Sequence, residues 1–289
     1  LADMSVAATA TLEEADGHLD VAVVDGPYAL LASGQGSWEY GPARIVGIRL
    51  SDLARVGHHE LQDQGAAWFH AGVAVDGHGY FATLGQLLKV RSSDLALVDT
   101  LELPSESHVD FNASAFTDGT HGYFAGHGPR VVKVHLEDLR LVRTRSLGPT
   151  VAGLRSRSAV TDGEYGYFAY SWPFRGDERP SRILRVRLSD LEVRDVVTLD
   201  KYDTELQGVA TDGRHLYVGT GPGTVVRLAM RPLQRIDALP LGSGRYGVRT
   251  VVVDGDDLFV GGRGFLLRVA APTVSSAGEA EPEPVAAPD

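Results

Sequence analysis

The chain has 289 residues, a net charge of −11, 43% hydrophobic and 22% charged residues, and no cysteine. An acidic chain with no basic footprint is unsuited to general nucleic-acid binding, and the absence of thiols excludes disulfides, thiolate metal sites and cysteine nucleophiles. No apolar run approaches the roughly 20 residues that span a bilayer, so no membrane insertion is expected.

The chain opens on Leu1-Ala2-Asp3 with no signal peptide in view, which fits a mature or trimmed form. Lys89, Lys133 and Lys201 are the only lysines, an Arg-for-Lys usage associated with GC-rich bacterial genomes. The expected location is secreted, periplasmic or surface-associated, with cytoplasmic residence left open.

Ser5 to Leu12 (SVAATATL) comes first and reads as an orphan strand. Six similar units follow. Each starts with a short apolar run ending in Asp-Gly: Asp25-Gly26, Asp76-Gly77, Asp118-Gly119, Asp162-Gly163, Asp212-Gly213 and Asp254-Gly255, spaced by 51, 42, 44, 50 and 42 residues. Asp-Gly suits a tight turn, because Gly accepts positive φ and Asp caps the turn. An aromatic-centred run follows each pair, such as Tyr80-Phe81-Ala82 or Leu216-Tyr217-Val218.

A third run then alternates apolar and cationic residues, as in Leu87-Leu88-Lys89-Val90 and Ile183-Leu184-Arg185-Val186, and is expected to form a partly exposed strand. Next comes a turn, often Ser-Asp-Leu (residues 51–53, 93–95 and 189–191), and then a fourth strand. No segment keeps a 3.6-residue apolar period, which excludes a β/α reading. Four short strands repeating near 45 residues specify a propeller blade.

The fold expectation is therefore all-β: one six-bladed β-propeller over residues 1–274, four antiparallel strands per blade, with blades at about 18–62, 68–104, 110–149, 155–201, 205–241 and 246–274. Residues 275–289 (SSAGEAEPEPVAAPD) read as a disordered tail. The sixth unit lacks a fourth strand, and residues 5–12 are expected to supply it, closing the ring and removing exposed edges. The repeats resemble bacterial YVTN-type propeller repeats, most closely at Leu216-Tyr217-Val218-Gly219-Thr220, and more distantly NHL and gluconolactonase-like six-bladed propellers. The resemblance implies architecture; those families include enzymes, surface binding proteins and scaffolds.

In such a fold strand one lines the central channel. Alignment on Asp-Gly places Asp20 with His18, His70, Asn112 with Asp110, Arg157 with Arg155, Gln207 with Glu205, and Arg249 with Tyr246 near one mouth. Convergent polar groups at a concave centre make a ligand site, although solvated channel residues account for the same pattern. Two long loops reach that face: residues 34–42 with Trp38 and Tyr40, and residues 170–180 with Trp172, Phe174 and Arg175; Trp68 is expected nearby. Exposed Trp, Tyr and Arg suit binding hot spots and ring stacking.

The leading expectation is a non-enzymatic scaffold that takes a small molecule or protein on the channel-mouth face through Asp20, Asn112, Gln207 and these aromatic loops, without a cofactor or metal. The alternative is a small-molecule lyase or lactonase, with His70, Arg157, Arg249 and Tyr246 holding an anion and moving a proton. In a gluconolactonase-like variant, Asp20, Asp110, Asn112, Glu205 and Gln207 would hold one divalent cation, which two central arginines oppose.

Overall fold

A computed structural model describes residues 9, 11–13, 16, 18–34, 43–61, 68–105, 113–172, 179–242, 247–262 and 264–270. They form six antiparallel sheets, each ordered as its strands follow in the chain. Five sheets have four strands, and the sixth has three among the described residues: Val248–Asp254, Asp257–Gly262 and Phe265–Ala270. The first strands of the blades (His18–Asp25, Ala71–Val75, Ser114–Thr117, Arg155–Thr161, Gly208–Thr211 and Val248–Asp254) meet one another in that order around the centre. This is the six-bladed propeller that the repeats specify.

The core lies between blades, not within them, because side chains alternate across each sheet. In blade two Phe81, Leu88, Val90 and Leu95 join Leu30, Ala32 and Ile45 of blade one. Tyr80, Ala82 and Leu87, on the other face, join Phe124, Val132 and Val134 of blade three. Equivalent clusters fill the next three seams. Fully burying one such Phe stabilises the fold by about 1.5–3 kcal/mol.

The faces that blades one and six turn away from these clusters carry exposed Val24, Val252 and Leu266. Of the segment expected to clasp blade six, residues 5–8 and 10 lie outside the described residues, and Thr11 and Leu12 are not in a strand. The residues that follow contact blade one: Arg55 donates to Glu13 Oε1 and Asp16 Oδ1, each at 2.9 Å, and Asp16 is fully buried.

The turns follow the sequence. All six Asp-Gly glycines have positive φ. In blades three, four and five the aspartate fixes two things at once. Oδ1 accepts the backbone N–H groups of the turn, as from Thr120 and His121 to Asp118, and Oδ2 accepts a tyrosine hydroxyl, Tyr123, Tyr167 or Tyr217, at 2.7–2.9 Å.

One expectation is corrected. Lys89, on the third strand of blade two, is not exposed but 8% accessible. Its Nζ crosses the seam to the carbonyls of Leu136 (3.2 Å) and Glu137 (2.7 Å) in blade three. Lys133 does the same to Leu188 O, and Arg185 to Met230 O. These cations tie blades two to three, three to four and four to five, and each charged group lies over an aromatic ring.

Candidate functional site at the channel mouth

The inner strand of blade four carries Arg155 and Arg157 and borders the inner strand of blade five, which in turn borders that of blade six. Burial pushes the Arg157 guanidinium below its ordinary pKa; Arg155 and Arg249 push it the same way, and Glu205 opposes them. Three guanidinium groups and one carboxylate therefore share one neighbourhood, contributed by three blades. Arg157, Arg155 and Glu205 are half-buried, and Arg249 is exposed.

Small residues permit this convergence. A Cβ on Gly208 would stand 2.9 Å from Val251 N, so only glycine lets the inner strands of blades five and six approach this closely. Glu205 has φ +52 and sits against Gly221, whose added Cβ would lie 2.7 Å from Glu205 Cβ. The Ser114 and Ser156 hydroxyls meet at 2.6 Å and Ser158 Oγ accepts Val209 N–H, so the inner strands of blades three to five are cross-linked.

The other expected site residues are distributed as follows. Asp20 is exposed on the inner strand of blade one, and Gln207 is half-buried, its N–H bonded to Gly219 O. His70 is buried just before the inner strand of blade two, two blades from Arg157 and not among the charges acting on it. Trp68 is exposed. Trp172 is half-buried: it packs on the blade-three/blade-four cluster, its ring lies against Gly153, and the Arg179 guanidinium covers its face. Trp38, Tyr40, Asp110, Asn112, Phe174, Arg175 and Tyr246 lie outside the described residues.

Among the described residues no group of three or more His, Asp or Glu is placed to hold a metal ion. Arg155, Arg157 and Arg249 are suited to an anion instead: guanidinium forks bind carboxylate or phosphate oxygens in pairs. No helix among the described residues is long and apolar enough to cross a membrane.

No family model matches the chain, and no curated protein matches it either. Solved structures do. BamB from Moraxella catarrhalis is 14% identical, with 88% of this chain and 84% of that chain covered and a TM-score of 0.56. The Pan2 WD40 domain of Neurospora crassa is 9% identical, with 88% and 76% covered and a TM-score of 0.67. At these identities the likeness establishes the propeller fold, and the narrower YVTN and NHL resemblance rests on the repeats alone.

Proposed function

We propose that this propeller is a non-catalytic binding module whose partner, a small molecule or a protein, presents an anionic group to the channel mouth. The observation that carries this reading is that, among the described residues, Arg155 and Arg249 act on the half-buried Arg157 with Glu205 as the one opposing carboxylate. Holding like charges together in a half-buried position raises the energy of the unliganded site, and an anion relieves it. Exposed Trp68 offers apolar contact on the same molecule. The lyase alternative would use His70 as its acid or base; His70 is buried just before the inner strand of blade two and is not among the groups acting on Arg157.

Malonate and inorganic phosphate serve as probes, with chloride at matched ionic strength as control. Either probe is expected to raise the melting temperature of the full chain, and Arg157→Met combined with Arg249→Met removes that gain. Equal stabilisation of the double variant, or equal stabilisation by chloride, refutes the reading.

A further inference from the structure

A second site lies away from the channel, on the Asp-Gly side of the seam between blades one and two. A cleft of about 400 Å³ is lined there by Asp25, Pro27 and Tyr28 of blade one and by His78, Arg91 and Ser92 of blade two, among others.

The repeat supplies its own control for what this cleft lacks. Cross-strand register pairs Tyr80 with Lys89, Tyr123 with Lys133 and Tyr167 with Arg185. In blade one the same pair is Leu30 with Gly47. The cation that ties blades two to three, three to four and four to five therefore has no counterpart in blade one. The receiving end differs as well. The carbonyls that accept those cations belong to Leu136, Leu188 and Met230, each the residue whose N–H bonds back to the turn before strand two. In blade two that residue is Ser92, bonded to Gly77 O. The three apolar side chains fill their seams. Ser92 is 1% exposed, and its hydroxyl has no hydrogen-bond partner among the described residues. Among the described residues no side chain donates to the carbonyls of Ser92 or Ser93, the counterparts of Leu136 and Glu137.

We propose that this cleft binds a primary alkylammonium group, which takes the place of the missing lysine or arginine. The ammonium donates to the carbonyls of Ser92 and Ser93, as Lys89 Nζ does to Leu136 and Glu137 one seam on. Asp25 supplies the negative charge; its counterpart in blade three, Asp118, acts on Lys133 in the same sense. Tyr28 supplies an aromatic face, and its counterpart Tyr165 lies under the Arg185 guanidinium at 4.8 Å. The positive charge of Arg91 is neutralised by Asp94 at 2.8 Å. Leu95 occupies the space beside Gly47, its Cδ2 3.0 Å from where a Cβ would stand, so the ligand enters from solvent past Tyr28. The chemistry is shared by a free amine and by a lysine side chain of a partner protein.

The test uses the full chain, amide NMR, and three probes: n-butylammonium, Nα-acetyl-lysine methylamide and uncharged n-butanol. Both amines are expected to shift the amides of Gly26, Gly77 and Ser92, and butanol is not. Asp25→Asn removes the charge, and Ser92→Leu restores the plug of the other seams; each weakens amine binding about tenfold or more. The two substitutions act independently, so a failure of Ser92→Leu to fold leaves Asp25→Asn as the test. Tighter binding of the lysine derivative supports a protein lysine as the source, and preference for butylammonium supports a free amine. The absence of a shift with either amine, an equal shift with butanol, or binding unchanged by Asp25→Asn overturns the proposal.

Discussion

Lys89→Met isolates the inter-blade tie. Methionine keeps most of the stem and deletes the ammonium, whose Nζ lies 5.6 Å from the Tyr80 ring centroid. Two hydrogen bonds to Leu136 O and Glu137 O are lost. Hydrogen bonds from charged donors contribute about 1.5–3 kcal/mol each. Two considerations reduce the sum: returning the ammonium to water in the unfolded chain recovers solvation, and Glu137 is exposed, so water can satisfy its carbonyl in the variant. The expected net loss is about 2 kcal/mol, or a fall in melting temperature of about 4–8 °C for a chain of this size. Differential scanning calorimetry, with Lys201→Met as an exposed control, measures it. A variant as stable as the parent would show that desolvation cancels the bonds, and the view of these cations as stabilising ties would fall with it.

Tyr170 is fully buried, and its hydroxyl finds no hydrogen-bond partner among the described residues. Tyr170→Phe is therefore expected to stabilise the fold by about 1 kcal/mol, and a lower melting temperature would reveal a partner. Burial pushes the Asp212 carboxyl up, but the N–H groups of His215 and Arg214, the His215 ring and the Tyr217 hydroxyl outweigh it and bring it down to about 2. A carboxylate depressed in the folded state stabilises fully above its unfolded value of about 3.9 and loses that contribution as pH falls through the folded one. Urea midpoints are thus expected to hold from pH 6 to about 4 and to fall below that, less steeply in Asp212→Asn. Gly208→Val places side-chain atoms against the backbone of Thr250 and Val251. It is expected to lower stability by more than about 2 kcal/mol and, by displacing Arg249, to abolish the malonate effect; a variant with unchanged anion binding would separate Gly208 from the site.

The propeller was legible in the chain because its signals are local. Asp118-Gly119 caps and reverses its own turn, and Tyr123-Phe124-Ala125 alternates between two seams whatever lies across them. Counting such units required no tertiary knowledge, and the residues around Arg157 and Arg249 followed from aligning them. What the alignment left open was where side chains go once they leave their own blade. Lys89 looks like an exposed strand residue in any window around it, since its acceptors on Leu136 and Glu137 lie nearly 50 residues on. His70 shares the aligned channel position but is buried, and Trp172 resembles a free hot spot but lies beneath Arg179. Gly47 and Ser92 are unremarkable in sequence, 45 residues apart. Only the packing of blade one on blade two brings them to the same seam, where a missing cation and a missing apolar plug leave a cleft. Strand periodicity is set by covalent geometry and is readable along the chain, whereas contacts between blades depend on which repeat stands next to which and how closely the two approach.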